Sequence, residues 1–147
     1  MDRRRALFWI VSPLILAACG EARAQSVAVV KSPSCGCCAL WVEHLRASGF
    51  EVQVTDSDDL DTNARRLGVP DALRSCHTAS VEGYVLEGHV PAEDIRRLLA
   101  ERPDAIGLAV PGMPVGSPGM EVAGMQPEPY SVELVDAQGA TRVFAEH

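Results

Sequence analysis

Val27-Ala28-Val29-Val30-Lys31-Ser32-Pro33-Ser34-Cys35-Gly36-Cys37-Cys38 joins a β-branched run to three cysteines within four positions. Val27 to Lys31 has no polar interruption before the lysine, the pattern of a strand buried on both faces. Ser32-Pro33-Ser34 breaks that run. From Cys38 the apolar residues fall at Cys38, Trp41, Val42 and Leu45, which places them on one face of a helix, and Gly49 closes it. Phe50, Val52 and Val54 then alternate with Glu51 and Gln53, predicting a half-buried second strand. Strand, helix, strand is a βαβ unit with a right-handed crossover and parallel strands. The cysteines sit at the turn where the first strand hands over to the helix.

Downstream, Asp56 to Asp61 is acidic and turn-like, and Leu60 to Leu67 reads as a short helix closed by Gly68. The acids Asp56, Asp58, Asp59 and Asp61 lack the oxygen-ligand spacing and glycine of a calcium loop, so they read as a solvated face. Thr78 to Val81 and Tyr84 to Glu87 flank Glu82-Gly83 as two antiparallel strands around a tight turn. Gly88-His89 follows. Pro91 opens a helix with Ile95, Leu98 and Leu99 toward the core and Glu93 and Asp94 in its first turn, where acids suit the helix dipole. From Asp104 to Pro129 the chain is rich in Gly and Pro, carries Met113, Met120 and Met125 without helical or strand period, and reads as a long ordered loop or lid. Tyr130 to Val135 and Thr141 to Phe144 predict a closing hairpin.

The first 24 residues read as an export signal: Arg3-Arg4-Arg5 form a charged region, and the apolar run Ala6 to Leu16 is too short to span a bilayer. Leu16-Ala17-Ala18-Cys19 resembles a lipobox, with Cys19 as the lipidated residue, while Ala22-Arg23-Ala24 suits ordinary cleavage. The mature chain, residues 26–147, is then expected in the periplasm as one domain, touching membrane only through a lipid on Cys19. Net charge is −7 and no Lys/Arg run occurs outside the N-terminus, which sets nucleic-acid binding aside. Of five cysteines, Cys35, Cys37, Cys38 and Cys76 remain in the domain. They are too crowded to staple long loops together.

The element order matches a thioredoxin-like α/β layout: a central mixed sheet flanked by helices, here with a Gly/Pro/Met-rich loop and a C-terminal hairpin. In that layout the third strand runs antiparallel to the first. Cys76-His77, just before it, therefore falls beside Cys35 to Cys38, and Gly88-His89 returns to the same edge. Thiolates favour soft ions such as Cu(I) and Zn(II), imidazole suits both, and thioether sulfur points toward Cu(I). Thiols at a helix N-terminus also lose protons more easily, which favours metal binding and redox chemistry alike.

Lys31-Ser-Pro-Ser-Cys-Gly-Cys-Cys, Gly68-Val-Pro, Ser75-Cys-His-Thr-Ala, Gly83-Tyr-Val-Leu-Glu-Gly-His-Val-Pro, Gly107-Leu-Ala-Val-Pro-Gly-Met-Pro and Gly116-Ser-Pro-Gly-Met-Glu resemble a family of bacterial periplasmic proteins. That family is described as a domain of unknown function and is associated with copper resistance. The resemblance runs from Val27 to Phe144. It implies a thioredoxin-like fold whose Cys-x-Cys-Cys site binds copper ions, as a multinuclear cluster in one version, in copper resistance or copper redox handling. A copper oxidoreductase and other periplasmic copper-handling partners belong to the same implication. The thiols suit zinc equally well, so only the methionines and the resemblance select copper.

The expected ligands are Cys35, Cys37, Cys38, Cys76, His77, His89, Met113 and Met120. The competing reading takes Cys35 and Cys38 as a Cys-x-x-Cys dithiol and the protein as a thiol-disulfide oxidoreductase. Against it, the position before the third strand carries Cys76-His77 where such enzymes carry a cis-proline. A structural disulfide with a spare thiol is the plainest alternative. Neighbours in an ideal strand point to opposite faces, so Cys76 and His77 can share an ion only from a turn; His77 otherwise caps the sheet edge. Met113 and Met120 otherwise fill gaps. His44 lies about two helical turns, roughly 10 Å, from the cluster and is set aside. His147 is expected to be terminal and mobile.

Overall fold

The computed structural model describes residues 24–147, so the expected leader and Cys19 lie outside the described residues. The elements run β1 (Ser26–Lys31), α1 (Gly36–Ala47), β2 (Glu51–Asp56), α2 (Leu60–Arg66), a 3-10 turn (Asp71–Leu73), β3 (His77–Val81), β4 (Tyr84–Glu87), α3 (Ala92–Glu101), β5 (Gly107–Ala109), β6 (Ser131–Val135) and β7 (Thr141–Glu146). Seven strands form one sheet in the order β2-β1-β3-β4-β5-β6-β7. β1 is parallel to β2 and antiparallel to β3, with Lys31 level with His77. The end of β1 therefore meets the start of β3, and β4 runs back beside it. No described helix is long and apolar enough to cross a membrane.

The helices arise where the spacing places them. Cys35 caps α1, its sulfur accepting the Cys38 backbone N–H at 3.3 Å, and Gly49 at φ 88° ends it. Trp41, Val42 and Leu45 of α1 pack with Ile95, Leu98 and Leu99 of α3 over Val27, Val29, Ala79 and Leu86 of the sheet. Each fully buried Val, Leu or Ile among them contributes roughly 1.5–3 kcal/mol. The β3–β4 turn, Glu82-Gly83, has positive φ at both central residues, as a two-residue hairpin requires.

Four expectations need correction. β1 is not buried on both faces: Val27, Val29 and Lys31 are covered while Ser26 and Ala28 are exposed. Only the small cluster of Ala64, Val69 and Val85 around α2 covers the second face. β2 is largely exposed rather than half-buried, because it is the sheet's edge and only Phe50, just before it, enters the core fully. The Gly/Pro-rich segment also contains a strand, β5, which bridges β4 and β6 and so attaches the closing hairpin to the main sheet. Three residues are too few to show a period.

The fourth correction concerns His147. Its backbone N–H donates to the Tyr130 carbonyl at 2.9 Å and its carbonyl accepts the Tyr130 N–H at 3.1 Å. Its ring stacks on Tyr130, centroids 5.0 Å apart, and pairs with Asp94 at 2.8 Å. The last residue is held on three sides, so the expectation of a mobile terminus fails.

Candidate metal centre

The turn Ser32–Ser34 brings Cys35 to the start of α1, and the helix carries Cys37 and Cys38 on its first turn. α1 has no acidic residue in that turn, so its positive end is left to the sulfurs. From the other side, Cys76 lies in the bend before β3 and His77 is the strand's first residue. That bend answers the geometric question about neighbours in a strand: Cys76 Sγ lies 3.4 Å from His77 Nδ1, on the same side. His89, just past β4, brings Nε2 to 3.5 Å from the same sulfur.

Two ligand sets result. Cys35, Cys37, Cys38 and Cys76 offer four sulfurs within 4.8 Å of one another, and Cys76, His77 and His89 offer a second set on the same scale. Cys76 belongs to both. Cys35 and Cys38 are joined as a disulfide, and Cys37 and Cys76 are free thiols. Cys37 Sγ stands 3.5 Å from Cys35 Sγ. Cys38 Sγ lies 3.4 Å from the Cys76 carbonyl; while oxidised it has no proton to donate there, and on reduction it gains one.

The imidazoles are set by their outer partners. His89 Nδ1 is 2.8 Å from the buried Pro118 carbonyl, which can only accept, so Nδ1 carries the proton and Nε2 presents its lone pair to Cys76. His77 is fully buried, tilted against the Trp41 ring at 4.3 Å and edge-on to His89 at 5.0 Å. Its Nε2 has no hydrogen-bond partner. Burial, reinforced by His89, lowers the His77 pKa to about 3, with the Gly88 backbone pulling weakly the other way. Burial also lowers that of His89. Both rings are thus neutral and able to ligate. Burial, with Cys37 adding to it against the Ser75 hydroxyl, raises the Cys76 thiol to about 11, so this sulfur keeps its proton until a cation displaces it.

The supporting residues were not legible in the sequence. Glu87 is buried beneath the Cys76 bend, one carboxylate oxygen accepting the Ser75 N–H at 2.6 Å and the other unpartnered; burial raises its pKa to about 7. Trp41, expected only as core, donates its indole N–H to the Val90 carbonyl at 2.9 Å and so fixes the plane on which His77 lies. Pro118 shows nothing in sequence that marks its carbonyl as a histidine partner. The Gly119 of its motif is a recoverable signal. A Cβ there would lie 2.8 Å from both the Cys37 carbonyl and the Trp41 nitrogen, so only glycine lets this loop close on α1.

Of the eight expected ligands, the structure gathers Cys35, Cys37, Cys38, Cys76, His77 and His89. Met120 follows directly on Gly119 and is half-buried, whereas Met113 is exposed at a turn tip with φ 48°. His44 belongs to neither set; its Nε2 accepts the Ala92 N–H at 3.1 Å. The donor set fits a thiophilic metal: two free thiols, two further sulfurs that reduction of the disulfide would release, and two neutral imidazoles, one of them with a buried ring nitrogen that has no partner.

An α/β protein with sulfur and imidazole donors converging at the first strand-helix junction is, by chemistry, a candidate soft-metal protein. Residues 73–120 match a family described as a protein of unknown function, DUF411. Two solved structures, forms 1 and 2 of copper resistance protein CopG, are each 45% identical to the chain with a TM-score of 0.79, covering 84% of it and 98% of their own length. No curated protein sequence matches. The chain belongs to this copper-resistance-associated family.

Proposed function

We propose that the chain is an exported copper-binding protein that takes Cu(I) as its cargo at Cys35, Cys37, Cys38 and Cys76, with His77 and His89 completing the coordination, in copper resistance or copper redox handling. The observation that carries this is Cys76, whose one sulfur serves both ligand sets. A bridging thiolate holds more than one ion, which supports a multinuclear site. Met120, next to Gly119 where the loop closes on α1, is the methionine we favour for adding a thioether; Met113 is exposed and would have to fold inward to do so. The mature domain acts in the periplasm behind its leader, on a lipid at Cys19 in one version, and exchanges copper with other copper-handling proteins there. Mixed sulfur and nitrogen donors suit both copper oxidation states, so redox turnover of the ion belongs to the same reading. Anaerobic Cu(I) titration of the reduced protein against a competing chelator tests it. Failure to compete, or affinity untouched by Cys37→Ser, defeats it.

The Cys35–Cys38 disulfide favours a second reading, thiol-disulfide oxidoreductase. A donor dithiol would attack the bond, pass through a mixed disulfide and leave oxidised as Cys35 and Cys38 become thiols. That activity needs no metal and does not depend on Cys76. Metal-free turnover of a small disulfide substrate, retained in Cys76→Ser, would establish it.

A further inference from the structure

Away from the thiols, Glu93 and Asp94 in the first turn of α3 meet His147 at the other end of the described chain. One donor atom from each lies within 4.8 Å of the others. Asp94 is 4% exposed, although carboxylates are seldom buried without strong partners, and its Oδ2 is 2.8 Å from His147 Nε2. Glu93 Oε1 is 3.8 Å from the other ring nitrogen. Neither acid has a Lys or Arg partner among the described residues. Arg96 borders the same cavity but pairs with neither acid; it donates to the Ser48 carbonyl and covers the Phe50 ring. Two carboxylates thus share a single imidazole.

A cavity of about 330 Å³ opens beside them, lined by His44, Glu93, Pro118, Tyr130 and His147 among others. Burial, and after it the carboxylates Asp94, Glu93 and Glu121, raise the pKa of the Tyr130 phenol in this cavity, where Arg96 is the facing cation. Pinning the last residue would need one carboxylate, whereas this arrangement supplies two and a cavity in front of them. Ligands on one borderline ion stand about 2.0–2.2 Å from it, hence roughly 3–3.6 Å apart. Asp94 Oδ2 and His147 Nε2, now hydrogen-bonded at 2.8 Å, need to part by only a few tenths of an ångström to admit an ion between them, and Glu93, exposed and now facing the other ring nitrogen at 3.8 Å, is able to swing in as the third ligand.

We infer that Glu93, Asp94 and His147 form a second metal site, which takes a borderline divalent cation such as Cu(II) or Zn(II) through two carboxylates and one imidazole. Hard-soft matching separates it from the thiolate centre, since oxygen and imidazole donors suit the divalent ion and sulfur suits the monovalent one. The site does not depend on the thiolate reading. Pro118 lies between them, lining this cavity while its carbonyl receives His89.

The probe is Cu(II), added to the full chain carrying Cys37→Ser and Cys76→Ser with the Cys35–Cys38 disulfide intact, so that no free thiol reduces the ion. The expected result is one equivalent of Cu(II) with an axial EPR signal split by one imidazole nitrogen. His147→Ala abolishes that splitting, and Asp94→Asn and Glu93→Gln each weaken binding about 10- to 100-fold. Glu93 is exposed, so its variant tests the site without threatening the fold. No Cu(II) uptake by the parent, or a signal and affinity unchanged in His147→Ala and Glu93→Gln, overturns the proposal. So does a loss of Cu(I) uptake in His147→Ala with all thiols present, since the sites would then not be separate. Cu(II) binding that persists where the reduced parent fails to take Cu(I) leaves this site standing and removes the thiolate reading alone.

Discussion

Cys37 and Cys76, 39 positions apart in the chain, bring their sulfurs to 4.0 Å across the junction of α1 and β3. Among the described residues they are the two cysteines free of the disulfide, so each face of the site contributes one thiol that can bind without prior reduction. Only Cys76 also reaches the histidines.

Replacing the shared sulfur should therefore cost more than replacing an unshared one. Cys76→Ser is expected to lower Cu(I) affinity by about 10- to 100-fold and to reduce the copper stoichiometry, while Cys37→Ser lowers affinity with a smaller loss of stoichiometry. Chelator competition with elemental analysis measures both. Equal stoichiometry in the two variants would show that Cys76 does not bridge the ligand sets.

On the proposed reading, the disulfide should make copper loading depend on redox state. With Cys35 and Cys38 bonded, two of the four sulfurs cannot act as thiolates, so the oxidised protein should bind less Cu(I) than the protein treated with a phosphine reductant. Cys35→Ser/Cys38→Ser should erase the difference. Stoichiometry measured with and without reductant decides this, and identical uptake in the parent counts against it.

Gly119→Ala should damage site and fold together. Its φ of +86° disfavours any side chain, and the added Cβ would press into the backbone of Cys37 and Trp41. Overpacking of this kind costs about 1–3 kcal/mol. Denaturant unfolding should show that loss, with weaker copper binding from displacement of the neighbouring Pro118. An unchanged midpoint would mean that the loop does not close on α1 in solution.

A histidine outside both ligand sets sets an acid limit on stability. Burial lowers the His44 pKa, with Arg96 acting the same way and Glu121 and Glu93 opposing, and Nε2 accepts the Ala92 N–H and must stay unprotonated to do so. A base depressed in the folded state stabilises above its unfolded pKa of about 6.5 and loses that contribution as pH falls through the folded value. The metal-free protein should therefore weaken below about pH 6.5, and His44→Gln should weaken less steeply. Urea midpoints between neutral and mildly acid pH compare the two.

The sheet and the convergence of six donors could be read from the chain because each rests on a local pattern: β-branched runs, the three-and-four spacing of Trp41, Val42 and Leu45, and topology placing Cys76 opposite Cys35. What escaped depends on tertiary context. Ala28 lies in an apolar run, but whether a helix covers it is decided by elements far away in sequence. β5 is a strand only because β4 and β6 flank it. His147 gains its role from Tyr130 and Asp94, which share no sequence pattern with it. Crowding speaks against a purely structural disulfide, but the Cys-x-x-Cys spacing of the competing dithiol reading is the one that a turn of α1 brings into bonding range, and Cys35 and Cys38 are bonded.

The Pro118 carbonyl does more than close a hydrogen bond. It sets which nitrogen of His89 faces the sulfurs, so the loop's backbone fixes the tautomer of a proposed ligand. A partner that lifted this segment would remove the lone pair's fixed direction and loosen an ion without contacting any of its ligands. Release of cargo could then be governed from the protein's surface.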